Sequence, residues 1–247
     1  MRASGWVAGA TLFMLCAASS AQAVVGGTVD EGPLSRNAVM VLSSNGGVCS
    51  GIVLAPDVVL TAAHCASGAA EHRVHFRDEQ GQPILLEPSA KEIHPDYDAK
   101  AVERRTRSID LAILRVPTPL PDRFSAAMLS SSPASKDAQI LVGGYGAARE
   151  NDARSTGTFR AAQLRVVEPY GPSKILVWAK GDDNAGACNG DSGGPISHGS
   201  AVFALTTWTT GAKGRSCGSY TQGILLGPQR DWIDRVLANW GRRARWD

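Results

Sequence analysis

Beyond residue 23, the apolar residues of this 247-residue chain come in short runs, and that brevity limits what the chain can fold into. Runs at 38–42, 52–54, 58–61, 73–76, 84–86 and 111–116 have strand length. Turn signals at Asn45-Gly46-Gly47, Pro56-Asp57 and Gln80-Gly81-Gln82-Pro83 break them up. A linker rich in Ser and Pro follows at 129–137. The pattern then repeats at 140–142, 159–167, 175–179, 196–197, 201–206 and 220–225. Many short strands separated by turn residues predict an all-β sandwich or barrel, here in two halves. Only the end reads as helical. Pro228 suits a first turn, and Trp232, Ile233, Val236, Leu237 and Trp240 recur at helical spacing. Such a helix is expected to pack on the second half.

Composition narrows the class of protein. Hydrophobic residues make up 43% of the chain and charged residues 19%, values that suit a folded globule rather than a disordered chain. The formal net charge of +2 announces no partner. The basic clusters Arg104-Arg105-Thr106-Arg107 and Arg242-Arg243-Ala244-Arg245 read as a solvated loop and tail, not as a nucleic-acid surface. Residues 1–23 read as a secretory signal. Arg2 supplies the positive start, 6–18 is apolar and small, and Ala21-Gln22-Ala23 is a small-x-small cleavage pattern. The apolar run is too short and interrupted for a membrane span. The mature chain is therefore expected to be secreted, either extracellular or periplasmic. Cys16 falls inside the signal, and export makes Cys49, Cys65, Cys188 and Cys217 candidates for disulfides. Four cysteines allow three connectivities; free buried thiols would need a reducing compartment.

Residues 190–195, Gly-Asp-Ser-Gly-Gly-Pro, carry the densest chemistry. Glycines at 190, 193 and 194 permit tight or left-handed backbone and let main-chain N–H groups converge on one point. Donors so placed stabilise the oxyanion formed when a serine attacks a carbonyl. A serine hydroxyl alone is a weak nucleophile, so the chemistry needs a histidine base and a carboxylate to orient it. His64 lies in Leu60-Thr61-Ala62-Ala63-His64-Cys65, and Asp110 lies in Asp110-Leu111-Ala112-Ile113-Leu114. Taken singly, these could be a turn serine, a core histidine and a capping aspartate. Together, in the order His, Asp, Ser, they favour a catalytic triad. His72, His75, His94 and His198 have no metal-ligand spacing and read as surface or packing residues.

These motifs in this order resemble the trypsin/chymotrypsin family of serine proteases. The likeness runs over about residues 24–240 and includes Ile93-His94-Pro95-Asp96-Tyr97 and Gly144-Tyr145-Gly146. The resemblance implies one protease domain over 24–247, built from two Greek-key six-stranded β-barrels at about 24–130 and 131–228. A C-terminal helix would follow at about 229–240, and the site would lie in the cleft between the barrels. It further implies that Ser192 is the nucleophile, His64 the general base and acid, and Asp110 the group that orients His64. The backbone N–H groups of Gly190 and Ser192 would form the oxyanion hole. Of the three connectivities, the resemblance selects Cys49–Cys65 and Cys188–Cys217. It also implies that a mature start at Val24-Val25-Gly26-Gly27 inserts into the protein, its α-ammonium pairing with Asp191. No residues separate the small-x-small site from Val24, so signal cleavage itself would create this terminus with no zymogen stage. Cleavage elsewhere followed by trimming is the alternative.

Specificity is where the chain departs from trypsin. In the family, the side chain six residues before the nucleophile lies at the base of the primary pocket, and that position is Gly186. Glycine offers no counter-charge to a Lys or Arg substrate, and burying an unpaired cation is costly. Asp182 and Asp183 are out of register. Thr209, in Thr207-Trp208-Thr209, and Gly218 take the wall positions. A glycine base with a branched wall resembles elastase-like enzymes, which accept small apolar residues such as Ala or Val; an aromatic residue is the open alternative. Thr207 stands where relatives carry a serine whose hydroxyl supports the catalytic aspartate, and is expected to keep that role. The expected protein is a monomeric serine endopeptidase acting on protein or peptide substrates and open to a protein inhibitor. No cofactor, nucleic acid, membrane or metal is expected, since Asp78 and Glu79 are too few for a calcium cage. The alternatives are a catalytically silent homologue acting as a binding protein, and an esterase using the same triad.

Overall fold

In the computed structural model, which describes residues 24–212 and 214–247, the short apolar runs pair into two curled, antiparallel sheets. The secretory signal expected at 1–23, Cys16 included, lies outside the described residues. The first sheet contains β1 (Ala38–Ser43), β2 (Val48–Ala55), β3 (Val58–Thr61), β4 (His72–Arg77), β5 (Pro83–Leu86), β6 (Ala90–Ile93) and β7 (Ala112–Arg115). Its order is β5-β4-β1-β2-β3-β7-β6. The second contains β8 (Gln139–Gly144), β9 (Arg160–Val167), β10 (Leu176–Lys180), β11 (Pro195–His198), β12 (Ala201–Gly211) and β13 (Gly218–Leu225). It runs β11-β8-β9-β10-β13-β12 and closes on itself where β11 pairs with β12. In each sheet the fourth strand returns beside the first, which is the Greek-key arrangement.

The expected halves are present, with two differences. The first sheet has seven strands, because Ala90-Lys91-Glu92-Ile93 adds β6 against β7. Two of its four residues are charged and exposed, so no apolar run marks it in the sequence. The helix α1 (Arg230–Asn239) buries Trp232, Ile233, Val236 and Leu237. It packs across the seam rather than on the second half alone. Its residues share one apolar cluster with Ile52 and Leu60 of the first sheet and with Leu205 of the second. Trp232 also packs against the buried His94, its ring tilted by 59° with centroids 4.7 Å apart.

Each end of the chain is sewn onto the other half. The segment before β1 crosses over, and Thr28 and Val29 pair with Ala161 and Arg160 of β9. At the other end, Arg245 and Trp246 lie parallel to Met128 and Leu129. Arg242, expected as part of a solvated tail, instead grips Asp57 in the turn between β2 and β3, with contacts of 2.6 and 3.0 Å. Arg115 adds a third contact at 3.1 Å. Burial by itself would raise the Asp57 carboxyl, but the hydrogen bonds and charges of Arg242 and Arg115 outweigh it and hold the group below the ordinary aspartate value. Stability from a lowered carboxyl is present above the unfolded value and is lost as pH falls through the folded one. Asp57→Asn, which imitates the protonated group, should therefore cost about 1–2 kcal/mol at neutral pH. The difference from wild type should close as pH falls through the lowered Asp57 value, as read by urea unfolding across pH.

Candidate active site

The loop bearing Ser192 is pinned from both halves. From β2, Ser50 N donates to the Ser192 carbonyl at 2.7 Å, and Ser50 Oγ donates to the Gly190 carbonyl at 2.9 Å. From β12, the Thr206 carbonyl accepts from Gly193 N at 2.7 Å, and Thr206 N donates to the Gly194 carbonyl at 2.9 Å. A register shift between Thr206 and Trp208 bends β12 at this point, as a bulge does. Gly190 and Gly193 both have positive φ, 99° and 86°. A Cβ at Gly193 would collide with the Ser50 carbonyl and the Thr61 hydroxyl, and one at Gly190 would come within 2.8 Å of Gly146 Cα. Only glycine fits this turn. Among the described residues, the amide N–H groups of Gly190 and Ser192 have no protein acceptor. Two donors are thus left open beside one hydroxyl.

His64 and Asp110 are brought together by strand register. Thr61 of β3 pairs with Ala112 of β7, so the turn after β3 and the residues before β7 meet at one end of the sheet. The 3-10 turn Ala63–Cys65 presents His64 there. Its backbone N–H donates to Asp110 Oδ1 at 2.9 Å, and its ring Nδ1 lies 2.6 Å from Asp110 Oδ2. A carboxylate at that distance places the proton on Nδ1 and leaves Nε2 as an acceptor. His64 and Ser192 line one cleft of about 600 Å³, together with Asn189 and Gly190. The hydroxyl of Ser192 forms no hydrogen bond to His64 here; such bonds often tighten only when substrate is bound. Two bridges brace the region. Cys49 joins Cys65 beside the histidine, and Cys188 joins Cys217 behind the serine loop. Cys49, His64 and Cys65 cluster as metal ligands would, but the two sulfurs are bonded to each other and offer no thiolate.

Asp191 is fully buried. Its Oδ1 accepts from Gly146 N and its Oδ2 from Cys188 N, both at 2.8 Å. Among the described residues no cation lies in ion-pair contact with it. Burial pushes its carboxyl up to about 7, against the pull of those two N–H groups and the more distant Arg160. Val24 is equally buried, packed with the apolar residues of the second barrel, and Val25 bridges to Gly186. With Ala23 before it, the Val24 nitrogen is an amide, and it makes no bond to Asp191.

Around Gly186, a Cβ would stand 3.3 Å from both Gly218 Cα and Thr221 Oγ1. Thr209 ties Oγ1 to the carbonyls of Ala187 and Tyr220, at 2.7 and 3.1 Å. Asp182 and Asp183 are exposed. Thr221, which no sequence motif marks, is fully buried and holds Ala187 N at 2.9 Å. One expectation fails here. The buried hydroxyl of Thr207 has no hydrogen-bond partner and does not support Asp110. A β-branched side chain has few χ1 choices, so threonine does not simply substitute for serine.

These features define a two-halved β protein with a glycine-framed serine loop and a His–Asp pair at its seam. The sequence pattern of the Trypsin family matches residues 24–233, and the chain belongs to that family. Hypodermin-B of Hypoderma lineatum is 29% identical over 209 residues, covering 75% of this chain and 76% of its own. The vitellin-degrading protease of Bombyx mori is 27% identical over 238 residues, covering 87% of this chain and 86% of its own. The structure of neuropsin, a serine protease expressed in the limbic system of mouse brain, superposes with a TM-score of 0.72 at 19% identity. It covers 86% of this chain and 99% of that one, a likeness of fold.

The least legible part of the site is Ser50, a serine within a strand that no motif picks out. Its hydroxyl also accepts from Tyr145 N at 2.9 Å, so it links that half-buried N–H to the buried Gly190 carbonyl. Ser50→Ala leaves both without partners and should lower stability by about 2–3 kcal/mol in urea unfolding.

Proposed function

We propose that the chain is a secreted serine endopeptidase using His64, Asp110 and Ser192. The observation that carries this is the 2.6 Å Nδ1–Oδ2 contact, which leaves Nε2 of His64 as the acceptor in a cleft shared with Ser192. Ser192 Oγ attacks the substrate carbonyl and its proton passes to His64 Nε2. Asp110 stabilises the imidazolium so formed. The open N–H groups of Gly190 and Ser192 receive the oxyanion. His64 then protonates the leaving amine, and water repeats the sequence to release the acyl group. Gly186, Thr209 and Gly218 bound the pocket for the residue before the scissile bond. With no carboxylate at Gly186 and a braced threonine beside it, small apolar side chains are preferred. One methylene there discriminates by about 1–3 kcal/mol, so the preference is graded. Among the described residues no helix is long and apolar enough to cross a membrane.

Activity further requires release of Val24. Its α-ammonium then meets Asp191 and supplies the buried carboxylate with its missing cation. The sign of the pH effect follows. In the uncut chain Asp191 titrates near 7 when folded and at the ordinary aspartate value when unfolded, so between those values the unfolded state holds fewer protons. Stability is then full at low pH and falls as pH rises to about 7, by on the order of 4 kcal/mol. Blocking the terminus should reproduce this loss. In urea unfolding from pH 4 to 7, the Nα-acetylated chain beginning at Val24 should weaken, while the free-amine form holds. Equal profiles would remove the Val24–Asp191 pair from the proposal.

The function is tested with a peptide library varied at the residue before the scissile bond. Cleavage after Ala or Val is expected, with kcat/KM lowered roughly 10⁴–10⁶-fold by Ser192→Ala or His64→Ala. Cleavage after Lys or Arg would keep the triad and overturn the pocket. No cleavage by protein verified to begin at Val24 would favour a silent homologue that acts by binding.

A further inference from the structure

A second cavity of about 600 Å³ opens on the molecule and shares no lining residue with the catalytic cleft. Three arginines line it: Arg36 before β1, Arg77 at the end of β4, and Arg123 in the segment after β7. All three are exposed. Among the described residues none is in ion-pair contact with a carboxylate, unlike Arg73, Arg115, Arg149 and Arg242. Two of them are nevertheless held in place. The Arg123 guanidinium lies 4.7 Å from the Phe124 ring centroid and 5.5 Å from that of Phe76, and donates to the Arg77 carbonyl. Arg77 donates Nη1 to the Gly81 carbonyl at 2.7 Å. Each guanidinium has five N–H donors, so most remain open. Phe76, Phe124 and Tyr145 also line the cavity, and the two phenylalanines meet edge to face at 5.5 Å.

Oriented guanidiniums around an aromatic lining form a receptor for an anion carried on an apolar body. We propose that this cavity binds an acidic peptide segment of a protein partner. The partner's carboxylates take the arginines, and a neighbouring aromatic or large aliphatic side chain sits on Phe76, Phe124 and Tyr145. Guanidinium forks match carboxylates two bonds at a time, and aromatic faces add contact area that a solvated cation cluster would not supply. A sulfated oligosaccharide satisfies the arginines but has no apolar group for the rings, so the peptide is the better match. Glu31 also lines the cavity and opposes any anion there. Because the cavity is separate from the cleft of His64 and Ser192, a partner can be held at one while a peptide chain occupies the other.

The test uses Ser192→Ala protein, so that no probe is cleaved and the outcome does not depend on proteolytic activity. A fluorescein-labelled peptide of sequence Glu-Asp-Phe-Glu-Glu is titrated by anisotropy, beside its all-Gln counterpart and a heparin fragment. Saturable binding of the acidic peptide is expected, weakening with added salt and absent for the Gln form. Arg36→Gln with Arg77→Gln should weaken it at least about tenfold, with circular dichroism unchanged. Glu31→Gln, which touches neither arginine's contacts, should tighten it by about two- to threefold. Binding unaffected by the arginine pair, no saturable binding by the parent protein, or displacement of the peptide by tighter-binding heparin would each overturn the assignment.

Discussion

The two-sided tether of the Ser192 loop is the constraint on which the site depends. Ser50 reaches it from the first sheet through both its main chain and its hydroxyl, and Thr206 reaches it from the second through a bent strand. Because two bonds come from each half, the loop has one position only when the halves are docked. The same bonds occupy the N–H of Gly193 and the carbonyls of Gly190, Ser192 and Gly194, and leave the N–H groups of Gly190 and Ser192 open. Preorganised donors of this kind need no rearrangement when charge develops beside them.

Docking is enforced by the chain ends as well as by the apolar seam. The amino-terminal segment pairs with β9, and Arg242 closes on Asp57 in the first sheet. Helix α1 adds Trp232 and Ile233 to a core contributed by both halves. These contacts are distant from Ser192 in sequence, yet they hold the seam in which His64 and Ser192 share a cleft. Asp191 links this framework to electrostatics. The loop needs the two N–H bonds its carboxylate accepts, but full burial disfavours the charged form, and among the described residues no cation in contact offsets that cost.

Much of this was legible from local pattern. Strand-length apolar runs found most of both sheets, and the spacing of Trp232, Ile233, Val236 and Leu237 found the helix face. The misses have specific causes. Strand β6 carries Lys91 and Glu92, because an edge strand exposed to solvent has no need of an apolar run. Arg242 looked like one charge in a tail, and only its meeting with Asp57, far away in sequence, shows otherwise. Thr207 kept the hydroxyl of the residue it resembles but not its bond. Ser50 and Thr221 carry no local signal, since serine and threonine are ordinary strand residues until a particular backbone group stands opposite them.

By itself the sequence determined the class of fold, the family and the residue types available for chemistry. Those properties rest on short-range periodicity and on motifs such as Gly190-Asp191-Ser192, whose backbone demands are local. Tertiary structure decided which groups meet. The register of β3 on β7 placed Asp110 on His64. The seam put Ser50 under Ser192, and three arginines from separate segments came to line one cavity around an aromatic cluster. Hydrogen bonds and charge interactions act over a few ångströms, and only the folded chain sets those separations between residues remote in sequence.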